Sequence, residues 1–177
     1  EEKADPQKAK QILEEKKLLP MKFTLKVPNS SKIYLDTAQS IKEQLKEVGI
    51  TVDLEIIEWA TWLSDVYTNR KYEASLAGLA GKMEPDAILR RYTSTYAKNF
   101  TNFNNPKYDA LIEEAKRTSN EAKQVENYKE AQKILAEEQA AIFLMDPNTI
   151  IATEKGIEGF EFYPLPYFNF AKLYFKK

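Results

Sequence analysis

Two hydrophobic periods alternate along the first half of the chain. From Met21 to Val27 the apolar residues Phe23, Leu25 and Val27 alternate with Lys22, Thr24 and Lys26, the period of two expected of a strand with one buried face. From Ser31 to Val48 the spacing changes: Tyr34, Ala38, Ile41, Leu45 and Val48 recur every three or four residues, with Gly49 behind them. That spacing predicts a helix with a glycine stop. Thr51–Ile57 returns to a β-branched, alternating pattern, and Trp59–Asn69 is again helical, with Trp62, Leu63 and Val66 on one side. Tyr72–Leu79 reads as a third strand. A further helix precedes them all, opened by Asp5-Pro6, carried by Ala9, Ile12 and Leu13, and stopped by Pro20. The order strand, helix, strand, helix, strand predicts an α/β fold whose sheet is mostly parallel, with right-handed crossovers.

The second half is more helical. Pro85–Tyr92 predicts a short helix, and the stretch to Asn105 a long polar and aromatic loop. Asn105-Pro106 opens a helix with Tyr108, Leu111, Ile112 and Ala115 on its stripe. Asn120–Gln139 is a second, with Val125, Tyr128, Ala131 and Leu135 inward and a solvated Glu/Lys face outward. Two short strands are expected at Ala141–Met145 and Thr149–Ala152, around the turn Asp146-Pro147-Asn148. The tail Phe160–Phe175 is rich in Phe, Tyr and Pro without either period. So apolar a segment needs a surface, either within this chain or on a domain outside it.

Composition narrows the function. The chain has 177 residues, enough for one ordinary domain with its own core, and 26 basic against 27 acidic residues. That balance argues against a generic grip on nucleic acid. It has no Cys and no His, which removes thiol chemistry, disulfides, the commonest general base and the commonest soft-metal ligands. No cofactor is implied. Glu55, Glu58, Glu84 and Asp86 could in principle supply an acid/base pair, but Glu55 should point outward from its strand. Nothing nominates a nucleophile or a phosphate loop, so the expectation is a binding protein and not an enzyme. The longest uncharged apolar stretch, Ala140–Met145, is far short of the ~20 residues a membrane span needs. The opening Glu1-Glu2-Lys3-Ala4-Asp5-Pro6 suggests part of a longer protein.

Ligands of open α/β sheets bind outside the carboxyl ends of the strands. Here those ends carry Asn29, Ser30 and Ser31 after the first strand, Glu58 and Trp59 after the second, and Gly78-Leu79-Ala80-Gly81-Lys82-Met83-Glu84-Pro85 after the third. Trp59 is either a flat pocket wall with one N–H donor or a core residue; Trp62, sharing a face with Val66, reads as core. Asn29 and Ser30 either hold a ligand carboxylate or carbonyl or simply cap the following helix. The loop from Thr95 to Asn105 either folds over a cleft or lies on the surface, and its Asn99-Phe100-Thr101 matches a glycosylation sequon.

Several segments, taken in order, resemble the carboxy-terminal lobe of the extracytoplasmic solute-binding proteins of ABC transporters, in the family that binds oligopeptides, dipeptides and nickel complexes. They are D-P-Q-K-A-K-Q-I-L, I-K-E-Q-L-K-E-V-G-I-T-V-D-L, E-W-A-T-W-L, L-A-G-L-A-G-K-M-E-P-D-A-I-L, N-F-T-N-F-N-N-P-K-Y-D-A-L-I-E-E-A, Y-K-E-A-Q-K-I-L-A-E-E-Q-A-A-I-F-L and G-I-E-G-F. The resemblance implies a type II periplasmic-binding-protein lobe over residues 1–177, one lobe of a larger two-lobed receptor, whose aromatic terminal segment 160–177 packs either within the chain or on the missing amino-terminal lobe. It implies closure of two lobes over an oligopeptide, or over an oligosaccharide or metal chelate, and delivery to a membrane permease. It also implies an extracytoplasmic parent, often lipid-anchored. An isolated lobe of this kind is expected to be monomeric. Trp59 matches a pocket Trp of the family. Peptide binders of the family carry Gly-Trp-x-x-Asp after the third strand, and the matching Trp and Asp positions here are Gly78 and Gly81. The amine anchor is therefore replaced. Lys82 would repel an ammonium and Met83 could pack adaptably. Glu84 or Asp86 stands in for the aspartate, the other lobe holds the amine, or the ligand has no free amine.

Overall fold

The computed structural model describes residues 4–148, 150–164 and 167–176. The chain divides into two compact units, residues 1–79 and 80–177.

In the first unit, α1 (Pro6–Glu15) starts as expected, with the Asp5 carboxylate accepting from the Lys8 N–H at 2.9 Å. It precedes β1 (Met21–Pro28), α2 (Lys32–Glu47) and β2 (Ile50–Ile57). β1 and β2 pair in parallel along their whole length, Met21 opposite Ile50 through Pro28 opposite Ile57. Alternation buries Leu25, Val27, Ile50 and Val52 under α2, whose stripe contributes Ala38 and, at its end, Val48. Gly49, at φ +89°, takes the left-handed turn between helix and strand. α3 (Trp59–Trp62) continues into a π-helical turn, Leu63–Thr68, which brings Val66 into the core while Leu63 stays half-exposed.

The third strand is shorter than its sequence suggests. Only β3 (Ala74–Ser75) is formed, paired in parallel with Leu25 and Lys26 of β1, and one more bond follows from the Leu76 N–H to the Lys26 carbonyl. The sheet order is β2-β1-β3, so among the described residues β3 is an edge strand with no neighbour on its outer side to extend it.

The second unit is built on helices: α4 (Pro85–Leu89) with a 3-10 turn to Tyr92, α5 (Pro106–Arg117) and α6 (Glu121–Glu137). Leu89, Tyr108, Ile112, Ala115, Tyr128, Ala131, Ile134 and Leu135 form its core. Val125, expected inward, is exposed, and Ile134 takes the inward place instead. The buried Tyr108 hydroxyl donates to the Leu89 carbonyl at 2.6 Å, tying α5 to α4. The loop before α5 is organised by buried Asn99, whose amide donates to the carbonyls of Thr93 at 3.1 Å and Phe103 at 2.8 Å. Asn99 is thus a structural pin, with no amide free for a glycan.

The strand expected at Ala141–Met145 is not formed, and neither is one over Ile150–Ala152; Thr149 lies outside the described residues. A strand exists only by pairing with another, and no partner for these segments is found among the described residues. Ile142 is 78% exposed and Ile150 92%. The tail, in contrast, contains a pairing its aperiodic sequence hides: β4 (Ile157–Glu158) and β5 (Tyr174–Phe175) run antiparallel. Rings between them pack on one another, Phe160 against Phe162 and Phe168, and Tyr163 against Tyr167.

Candidate functional site

In the first unit the three parallel strands run in one direction and so exit at one end of the sheet, where the predicted side chains fall into separate small groups. β1 leaves through buried Pro28 into Asn29, whose backbone N–H donates to the Ile57 carbonyl at 2.9 Å. The Asn29 side-chain amide donates to Glu58 Oε1 at 2.6 Å. Asn29 therefore fastens the exit of β1 to that of β2 and orients Glu58. The expected helix cap lies one or two residues on: the hydroxyl of Ser31, not Asn29 or Ser30, accepts from the Ile33 N–H. Ser30, in the exposed turn, has no side-chain partner among the described residues.

Trp59 and Trp62, three residues apart, share one helical face. Their rings are parallel within 4° with centroids 5.0 Å apart. Trp62 is the core member, 1% exposed, and Trp59 is 38% exposed. The Trp62 indole N–H donates to Ser75 Oγ at 2.9 Å, and that hydroxyl donates in turn to the Lys26 carbonyl at 2.9 Å. A second ring, Tyr67, stacks against Trp62 at 6.0 Å. The open face of Trp59 is thus presented from a rigid column tied into two strands. Such a face offers a flat apolar wall beside polar main chain.

Gly78 follows β3 in the same unit. A Cβ placed on it would lie 2.7 Å from the hydroxyl of Tyr34, in the first turn of α2. Tyr34 was readable only as a stripe residue; its hydroxyl at the strand exit has no signal in a single sequence. Ser75 and Tyr67, which brace the tryptophan column, were equally hidden.

The remaining candidates open the second unit. A Cβ on Gly81 would meet nothing within 4 Å, so its lack of a side chain leaves open space. Lys82 is exposed and pairs with no carboxylate among the described residues. Met83 is 71% exposed. Glu84 occupies the cap position of α4, yet only its backbone serves the turn, the carbonyl accepting from the Ala87 N–H at 3.1 Å. Its carboxylate has no hydrogen bond or ion pair among the described residues, and its charge adds slightly to that of Asp86 on the Tyr128 phenol. Asp86 is engaged inside its own unit: it lies 3.8 Å from Arg90, and its charge helps to hold the Tyr108 and Tyr128 phenols above their usual range, behind the larger effect of burial.

Two of the four carboxylates that a catalytic reading would draw on, Glu55 and Glu58, are tied up in the sheet. Glu55 lies 3.5 Å from the ammonium of half-buried Lys26, which also faces Asp65 at 3.7 Å, and Glu58 is held by Asn29. Among the described residues no group of three or more acidic side chains could hold a metal ion. No helix among them is long and apolar enough to cross a membrane.

Residues 1–100 match the family model described as bacterial extracellular solute-binding proteins, family 5 Middle. The chain is 30% identical to the oligopeptide-binding protein AppA of Bacillus subtilis over 80% of its own length and 27% of that protein's. It is 28% identical to the peptide transport periplasmic protein SapA of Haemophilus influenzae, over 97% of its length and 32% of the relative's. The solved structure of AppA in complex with a nonapeptide superposes on 99% of this chain and 38% of that one, with a TM-score of 0.82 at 27% identity. The fold is that of the type II periplasmic binding proteins. The chain spans about a quarter to a third of the curated relatives it matches.

Proposed function

The chain belongs to the family 5 bacterial extracellular solute-binding proteins, and we propose that it is one lobe of a peptide receptor that serves an ABC importer outside the cytoplasm. In this reading a second lobe of the same parent closes over the ligand, and the loaded receptor passes it to a membrane permease. No chemistry is performed on the ligand. The observation that carries the reading is the match of nearly the whole chain to a receptor solved with a nonapeptide.

Two physical features support a peptide as the ligand. β3 is an edge strand, so the main chain that follows it at Leu76–Gly78 can pair with an extended segment, a mode in which backbone bonds give affinity and side pockets give selectivity. The exposed face of Trp59 is linked to that strand through Trp62 and Ser75, and can take an apolar, aromatic or cationic side chain along its flat surface. On the ligand side of the second unit, Gly81 leaves space and Lys82 brings positive charge. A free peptide amine therefore finds no fixed carboxylate there unless Glu84 supplies it. We assign Trp59, Asn29, Ser30 and Gly78 to a ligand-facing surface of the first unit, and Gly81, Lys82, Met83 and Glu84 to one of the second. The aromatic segment 160–177 is assigned to contact with the other lobe.

Native mass spectrometry of the full-length receptor tests the reading directly. Peptides are expected to accompany the purified protein, or to be retained from a mixed peptide pool. A receptor that retains none, or that retains a sugar or chelate in their place, overturns it.

A further inference from the structure

Two glycines flank the turn after β3, and they are glycine for different reasons. At Gly81 a side chain would enter open space; at Gly78 a Cβ would stand 2.7 Å from Tyr34 Oη and 3.3 and 3.4 Å from ring carbons Cε1 and Cζ. Gly78 does not hold a left-handed backbone that would itself demand glycine. The restriction is steric and comes from the Tyr34 phenol. That ring is held in place: it packs, half-buried, against the core that contains Leu25, Val27 and Ala38. Its hydroxyl has no hydrogen-bond partner among the described residues, and it is not sealed from solvent. A phenol both donates and accepts while carrying no charge near neutrality.

We propose that Tyr34 is a specificity-determining residue of this receptor: its hydroxyl, kept in reach by the missing side chain of Gly78, is a neutral hydrogen-bonding group for a peptide amide at the exit of β3. The inference rests on the reading of this sheet edge as the ligand face. The pair works as a unit. Any side chain at position 78 must push the phenol aside, whereas removing the hydroxyl leaves the nearest ring atom at 3.3 Å, a tight but adjustable contact.

The test uses the full-length receptor, a pool of random tetrapeptides with mass-spectrometric readout, and calorimetry with the peptide that is retained best. Tyr34→Phe keeps the ring and is expected to leave Tm unchanged while weakening binding about five- to tenfold, the loss of one hydrogen bond. Gly78→Ala is expected to weaken binding by a similar factor in the wild-type background and to add little in the Tyr34→Phe background. Unchanged affinity and unchanged selection in Tyr34→Phe, with wild-type binding intact, overturn this inference alone. Fully independent effects of the two substitutions also overturn it. A wild-type receptor that retains no peptide overturns the binding reading and this inference with it.

Discussion

Trp59 and Trp62 are the same residue in opposite surroundings, and their substitutions should separate binding from stability. Trp62 is buried, stacked against Trp59 and Tyr67 and bonded to Ser75, so Trp62→Ala should cost ~3–5 kcal/mol in urea unfolding. Trp59 is 38% exposed, and Trp59→Ala forfeits its stack on Trp62, about 1 kcal/mol, and with it a partial burial of roughly 1–2 kcal/mol. In the full-length receptor it should nevertheless weaken peptide binding at least fivefold by calorimetry. If Trp59→Ala instead unfolds the protein as Trp62→Ala does, its place is in the core and not in the pocket. Tyr108 offers a second test, through pH. Burial, with help from nearby Tyr92, Asp109 and Asp86, pushes its phenol well above the usual value of about 10. The folded state therefore holds this proton more tightly than the unfolded chain does. The resulting stability is whole below pH ~10 and drains away as pH rises beyond it. Tyr108→Phe should lose about 1 kcal/mol at pH 7, from the bond to Leu89, and should show a shallower fall in stability between pH 10 and 11.

At the scale of elements, the loop between α4 and α5 is more ordered than its polar sequence implies. Asn99 alone ties the carbonyls of Thr93 and Phe103, and it accepts from the Thr101 hydroxyl at 2.8 Å. Asn99→Ala should cost roughly 1–3 kcal/mol: it removes the bonds to both carbonyls and to the Thr101 hydroxyl, and the Thr93 carbonyl keeps only its bond from the Tyr96 N–H. It should also raise amide exchange across residues 93–105 without altering that of α6; uniform exchange changes would mean that the loop is not a separate unit. Elements with a strong period were legible from sequence: α2, α5 and the β1–β2 pair fall where Tyr34–Val48, Tyr108–Ala115 and the alternating strands predict. Their signal is local, since one face of each is buried. What escaped is whatever depends on a neighbour. β3 is cut to two residues because it meets β1 only there, and Val125 lies outside a stripe that continues through Ile134. The β4–β5 pair is too short to have a period. The site followed the same rule: Trp59 and the strand exits could be read, whereas Tyr34, Ser75 and the fastening of Asn29 to Glu58 arise from residues distant in sequence.

At the scale of the whole molecule, the chain carries apolar surface that its own described residues do not cover. Ile142, Phe143, Met145 and Ile150 are exposed beyond half, as are Phe162, Phe170 and Phe175, and soluble proteins rarely leave so many neighbouring large side chains open. The segment Ile142–Met145 has the composition of a strand and lacks only a partner. The chain spans about a quarter to a third of the curated relatives it matches, and the second lobe proposed above is a candidate source for that partner. If so, Ile142–Met145 gains main-chain bonds, and the aromatic tail gains cover, when the whole receptor is present. Amide exchange makes the comparison directly. In the isolated chain these amides should exchange within seconds, and thermolysin should cut before Ile142 or Phe143; in the full-length receptor, with or without peptide, both should slow by at least a hundredfold. Protection that appears only when peptide is added would move the segment from the lobe contact to the binding face. Equal exposure in both proteins would show that the apolar stretch serves a partner outside the receptor.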